Sequence, residues 1–249
     1  MNREWDDFKS AMAFLTIFPV ADRVEIDTPR LARSMGFFPA VGLVLGLGLV
    51  VLNWFLDSLI PRPVLDCLLI LCLILATGAL HLDGIADLID GLAGGKDRKS
   101  VLTIMKDSRV GAIGVVGLVM VLLLKYLSLY NVDAGLKSEA LIMMPAAGRW
   151  IQVILASYSP YVRPEGGTGS AFVENVGERE VMIATGTLIA AAVVLFGLKG
   201  VFLVFLLGLV AMVLLRYFER RLGGVTGDVL GAATELLEVL SLLFILAIY

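Results

Sequence analysis

The chain has 249 residues, a length that suits one or two water-soluble domains. Its composition excludes them: 59% of the residues are hydrophobic and 17% charged, against about 45–50% and about 25% in ordinary globular domains. The net charge of -3 says little, because charge in so apolar a chain matters by location, and no nucleic-acid partner is expected.

The opening stretch MNREWDDFKSAMAFLTIFPV is expected not to be a signal peptide. It lacks a basic leading segment, and its apolar run is short and has no small-residue cleavage site. The run Ala11–Val20 is too short to span a bilayer but apolar enough to lie in its interface, so residues 1–36 read as an interfacial arm. Seven crossings follow, each near the roughly 20 residues needed for about 30 Å of hydrocarbon. The first runs from Phe37 to Leu59 and the second from Pro63 to Leu82. Cys67 and Cys72 lie five apart in the second, a spacing that predicts two separate packed thiols. The third and fourth are Val110–Tyr130 and Ala140–Tyr158, and residues 159–180 carry no recognisable function. The fifth and sixth, Val181–Leu198 and Gly200–Leu215, would together make a helix of roughly 50 Å. The sequence GLKG around Lys199 is therefore read as a tight hairpin. The seventh runs from Asp228 to Tyr249. The expected fold is an all-α polytopic helical bundle, one membrane-embedded domain over 1–249.

Orientation follows from the basic residues. With the N-terminus in the cytoplasm, 15 Lys and Arg fall inside and only Arg62, Lys137 and Lys199 fall outside, with Lys125 and Arg149 inside spans. That layout places the polar segments, including 83–109 as a catalytic loop region, on the cytoplasmic face.

The second span ends in HLDGIADLIDGLAGG, which holds the chain's single histidine, His81, and three aspartates. Asp83, Asp87 and Asp90 stand at i, i+4 and i+7, on one helix face. Three ionised carboxylates there repel, so a cation or a proton must offset them. Oxygen-rich acid clusters suit Mg²⁺ or Mn²⁺, and Mg²⁺ takes one or two protein carboxylates and fills its remaining sites with water and phosphate. Gly84 and Gly91 each follow an aspartate and would let a bulky ligand approach the backbone. His81, two residues before Asp83, is a further catalytic candidate. The last span repeats the pattern: GGVTGDVLGAATELLE sets Asp228, Glu235 and Glu238 at i, i+7 and i+10, after a glycine-rich start that includes Thr226. Glu235 and Glu238 lie two to three turns into the membrane, where ionisable residues are costly and tend to mark function. They are expected to touch substrate or to pair with Arg149 or Lys125. Between the blocks, IMKDSRVGAIG brings Lys106 and Arg109 for phosphate contacts. Asp107 beside them is expected to bind metal, act as a base or orient Arg109. Together these residues point to metal-assisted transfer of a phosphate-linked group at a membrane surface.

The blocks HLDGIADLIDGLAGG, IMKDSRVGAIGV and GGVTGDVLGAATELLE, with FLTIFPV and SMGFFPAVGLVLG before them, resemble the cobalamin synthase family in order over nearly the whole chain. The resemblance implies a Mg²⁺-dependent enzyme of the bacterial inner membrane. Such enzymes join adenosylcobinamide-GDP to α-ribazole or its 5′-phosphate and release GMP. Carried onto this sequence, it implies metal binding by Asp83, Asp87, Asp90 and Asp228, with one aspartate taking a proton. Lys106 and Arg109 would then steady the leaving phosphate.

Two alternatives remain at this stage. A CDP-alcohol phosphatidyltransferase would need arginine after the alanine of D-G-x-x-A-R, where this chain has Asp87. A cation transporter would use Glu235 and Glu238 as a midplane site. Glycine-rich faces such as VGLVLGLG also suit helix-to-helix packing, including between copies.

Overall fold

The computed structural model describes residues 3–20, 28–163 and 168–249. Among them regular structure is helical, with one isolated β-bridge between Tyr161 and Val225. Arg23, one of the basic residues assigned to the N-terminal arm, lies outside the described residues.

In chain order the helices are α1 (Arg3–Leu15), α2 (Thr28–Ser34), α3 (Phe38–Leu56), α4 (Arg62–Ala76), α5 (Leu80–Gly94) and α6 (Arg98–Ile104). They continue with α7 (Ala112–Asn131), α8 (Lys137–Tyr158), α9 (Thr168–Val173), α10 (Glu178–Phe196), α11 (Leu198–Leu222) and α12 (Gly227–Ile248). Among the described residues, six helical segments are long and apolar enough to cross a bilayer, and α4 with α5 makes a seventh as a pair bent by 93°. The expected multi-spanning helical bundle is therefore found.

The second crossing is not the straight helix expected. Its chain stops at Ala76, passes through left-handed Gly78 (φ 60°) and Ala79 (φ 57°), and restarts at Leu80. Hydrophobic periodicity is blind to this break, since every residue from Leu68 to Leu80 except Thr77 and Gly78 is apolar. A left-handed alanine costs about 1–2 kcal/mol. The N-terminal arm braces the break: the Ile17 N–H donates to the Ala76 carbonyl at 2.9 Å. The expected hairpin at Lys199 is present, with Gly197 at φ 59° joining α10 to α11.

Burial identifies the centre. The apolar stretch of α8 is 89% buried, against 22% for α7 and α11, so α8 is the inner post and the outer helices face lipid. Gly42 and Gly46 of α3 let α8 approach closely. A Cβ at either would stand within 2.5 Å of Pro145 O or Ile142 Cα, the small-x-x-x-small packing of membrane helices. The glycines of VGLVLGLG that do this work pack inside one chain. The two thiols, Cys67 and Cys72, are free as expected, but Cys67 is exposed on the outer face of α4 rather than packed, and Cys72 is half-buried.

The bundle has two distinct ends. At one, Arg62 donates to the Val132 carbonyl, Lys137 pairs with Asp66, and Lys199 reaches the Ile248 carbonyl. At the other, α1, α2, α6 and α9 gather around the ends of α5, α11 and α12. There Arg221 donates to the Gly95 carbonyl at 2.7 Å and Arg179 pairs with Glu4. The acidic blocks lie at this second, basic-rich end.

Candidate active site

The site is built where α5 meets α12. Gly84 makes the meeting possible: a Cβ there would stand 2.5 Å from the Asp228 carbonyl oxygen and 2.9 Å from its Cα. This glycine, expected to make room for a ligand, makes room for the backbone of α12. Gly91 does the same for the Met105 side chain and the Val101 carbonyl, closing α5 against α6. Gly84→Ala is expected to push α5 off α12 and lower turnover about 10²-fold, the cost of misplacing reacting groups by about 1 Å. Rates of the lipid-reconstituted variant check this, with the thermal unfolding profile as folding control.

The stretch GGVTGD sets the height of Asp228. Gly223 (φ 77°) ends α11 in a left-handed cap. Val225 then pairs with the segment after α8: its N–H donates to Pro160 O at 2.9 Å, and its carbonyl accepts from Val162 N–H at 3.0 Å. Thr226 is buried, and its hydroxyl accepts the Val229 N–H at 3.3 Å, capping α12. The same hydroxyl hydrogen-bonds Asp228. Thr226, expected to contact substrate, positions the acid that follows it.

Asp83, Asp87 and Asp228 converge. Asp83 is exposed and Asp87 half-buried, and Asp87 lies in the electrostatic field of Asp83, Asp228 and Asp90. Arg163 answers them: it forms a salt bridge with Asp228 and also acts on Asp87. Asp90, though on the same helix face, is committed elsewhere. Its two oxygens accept the N–H groups of Gly111 (2.6 Å) and Gly114 (2.7 Å), capping α7 from a neighbouring helix. A Cβ at Gly111 or Gly114 would collide with that carboxylate.

Among the described residues, no three His, Cys, Asp or Glu side chains form a ready-made metal cage. Mg²⁺ does not need one, since it holds few carboxylates and completes its shell with water and phosphate oxygens. Asp83, Asp87 and Asp228 offer an oxygen-donor surface, with Arg163 paired to Asp228, which fits that open arrangement.

Next to these acids lies a basic cleft of about 570 Å³, lined by Arg98, Lys99, Lys106 and Arg163. Lys106, expected to contact phosphate, lines this cleft, and Arg98, Lys99 and Arg163 join it unforeseen. Arg109 lies outside the cleft lining. It is 87% exposed and forks onto Asp107 at 2.7–3.2 Å. That guanidinium, with the Arg109 backbone N–H, pulls the Asp107 carboxyl down to about 2. Asp107 therefore stays ionised at neutral pH and occupies Arg109. Arg109→Ala is expected to leave KM and turnover within about twofold of the parent, as for exposed surface changes generally. A steady-state comparison of the two proteins decides it.

Asp83 and Asp228 also line a separate cavity of about 160 Å³, together with His81 and Gln152. Thr234 Oγ1 donates to the Leu230 carbonyl at 2.9 Å, so it accepts from the Gln152 amide at 2.7 Å. The same amide nitrogen lies 3.0 Å from His81 Nε2. Nε2 is therefore the acceptor and Nδ1 carries the hydrogen of a neutral ring. Gln152 gave no sign in the sequence, being one polar residue inside a span.

Glu235 and Glu238 do not reach this surface as free ligands. Lys125 Nζ contacts Glu235 at 2.5 Å and Glu238 at 2.6 Å, and Arg149 pairs with Glu238. All four are buried. The pairing expected as one possibility is the arrangement found, and protein cations occupy the place a midplane cation site would need.

The cobalamin-5-phosphate synthase (CobS) family model matches residues 7–246. An adenosylcobinamide-GDP ribazoletransferase of Geotalea daltonii is 44% identical over 238 residues, covering 96% of each chain. One of Desulforamulus reducens is 38% identical over 242 residues, covering 97% of this chain and 96% of its own. One of Chlorobaculum tepidum is 40% identical over 240 residues, covering 92% and 90%. No solved structure matches the chain. With a match that spans α1 to α12 and includes every acid of the site, the chain belongs to the cobalamin-5-phosphate synthase family.

Proposed function

We propose that the protein transfers the cobinamide phosphate of adenosylcobinamide-GDP to α-ribazole or its 5′-phosphate, releasing GMP, with Mg²⁺ as cofactor. The site would face the cytoplasm from the inner membrane of a bacterium, the side that the basic residues favour. The observation that carries the reading is the meeting of Asp83, Asp87 and Asp228 beside Arg163, next to a basic cleft and a partly open cavity. The printed activity of the relatives supports it.

In this reading the guanosine diphosphate portion lies along Arg98, Lys99, Lys106 and Arg163, which stabilise charge on the leaving GMP. Asp83, Asp87 and Asp228 would hold Mg²⁺, which supplies charge neutralisation on the diphosphate. A ribazole hydroxyl oxygen forms the new bond to the phosphorus that carries cobinamide. The bond from that phosphorus to the bridging oxygen breaks, and its electron pair leaves with GMP. Asp87 takes the hydroxyl proton. Thr226 and Gly84 keep Asp228 in reach of α5, and Asp90 fixes α5 to the start of α7.

The test is purified protein in lipid vesicles, given both substrates with and without Mg²⁺. GMP and a corrinoid product in equal amounts, only with Mg²⁺, is the expected result. No GMP from a folded protein overturns the reading.

A further inference from the structure

The cavity beside Asp83 and Asp228 has two chemically different walls. One is polar, with His81 and Gln152 next to the acids. The other is aromatic: half-buried Phe14 from α1 lines it, backed by Phe38 from α3 and Phe172 from α9, which are 1% and 2% exposed and show it little more than an edge. The rings touch one another, with centroids 4.5 Å apart for Phe14 and Phe172, 5.8 Å for Phe38 and Phe172, and 6.0 Å for Phe14 and Phe38. Ordinary core packing explains their mutual contacts but not the space left against them, since packed interiors hold few voids larger than a water molecule. Bulk water gains little from an aromatic wall, and lipid tails gain nothing from carboxylates.

A ligand with one flat apolar end and one hydroxyl-bearing end satisfies both walls. The volume, about 160 Å³, excludes a corrin. A guanine would bring a row of donors and acceptors to a wall that offers none, at the cost of leaving them unpaired. A benzimidazole nucleoside brings a flat bicyclic ring with one acceptor nitrogen, and a sugar with hydroxyls. We propose that this cavity seats the benzimidazole ring of the acceptor against Phe14, backed by Phe38 and Phe172, directing its sugar hydroxyls past Asp83 and Asp228 toward Asp87. His81, held by Gln152 with its hydrogen on Nδ1, is the donor that meets the ring nitrogen. This assignment rests on the transferase reading above and deepens it. The two substrates then reach the acids separately, the acceptor from the cavity and the nucleotide diphosphate from the basic cleft.

Binding of α-ribazole to the lipid-reconstituted protein, followed by the fluorescence of its own ring without corrinoid, tests the seat directly. Phe172→Ala is expected to weaken it about tenfold, the worth of a lost aromatic contact with its buried area, and to leave the KM for adenosylcobinamide-GDP unchanged. Phe172→Leu keeps the apolar bulk and removes the ring face. It is expected to weaken α-ribazole binding several-fold while the KM for adenosylcobinamide-GDP stays at the parent's value, whereas a folding defect at this buried position would move both. Free dimethylbenzimidazole should compete and guanosine should not. Parent-like α-ribazole binding in both variants, or displacement by guanosine instead, overturns the seat even if GMP release is normal. Ring binding that depends on Phe172 in a protein that releases no GMP would keep the seat and sink the transferase reading.

Discussion

Replacing Asp87 with Asn is expected to lower GMP release by about 10²–10⁴-fold, the contribution of a positioned general base, without lowering thermal stability. Asp87 is half-buried on α5 and shares its surroundings with Asp83, Asp228 and Asp90, with Arg163 as an answering cation. Asparagine keeps the shape and removes one of four like charges, so the unfolding temperature of the variant should equal or exceed the parent's. Activity and stability then move apart, the behaviour of a group held in place for chemistry at a cost to the fold. Asp90→Asn should show the opposite pairing. An amide offers one acceptor oxygen where the carboxylate serves the N–H groups of both Gly111 and Gly114. That variant is expected to unfold at lower temperature, with activity falling only as far as the fold loosens. Mg²⁺ titration of the residual rate separates the roles further: Asp87→Asn and Asp228→Asn should shift the Mg²⁺ dependence and Asp90→Asn should not. Near-normal Mg²⁺-dependent turnover in Asp87→Asn would remove it from the mechanism.

The contrast between Asp87 and Asp90 shows how far the sequence could be read. The i, i+4, i+7 spacing placed three acids on one face of α5, and they do lie on one helix. Spacing cannot say what stands opposite that face. The start of α7 lies against Asp90, and α12 against Gly84. Apolar runs located the membrane crossings, because burial in lipid and burial in protein demand the same composition. They missed the 93° break at Gly78 and Ala79 because a left-handed turn between two oily helices leaves no trace in hydropathy. Arg163 and Gln152 were invisible for a related reason. Each is a single polar residue, and its meaning comes from a partner 65 or 71–82 positions away. The basic cleft was half legible: Lys106 sits in a recognisable block, whereas Arg98 and Lys99 read as ordinary flanking charge.

Removing the Glu238 carboxylate alone, as Glu238→Leu, is expected to destabilise the bundle by about 3–5 kcal/mol, the cost of orphaning one side of a buried ion pair. Two carboxylates and two cations balance at the junction of α7, α8 and α12. Lys125 serves Glu235 and Glu238, and Arg149 serves Glu238. Without Glu238 the cluster carries an uncompensated charge, and Arg149, 1% exposed, cannot reach water to relieve it. The same logic predicts rescue. Glu238→Leu combined with Arg149→Leu leaves Lys125 against Glu235, one charge of each sign, and should recover most of the lost stability. Thermal unfolding in detergent of the two single variants and the double variant gives the coupling between them. Simple additivity would mean that the four groups do not act as one neutral unit. The double variant also decides between two roles for Glu238. If it contacts substrate, GMP release stays low however stable the protein becomes. If its task is to hold α12 against α7 and α8, activity should return with the fold, because α12 carries Asp228 to α5 from the turn that these charges anchor.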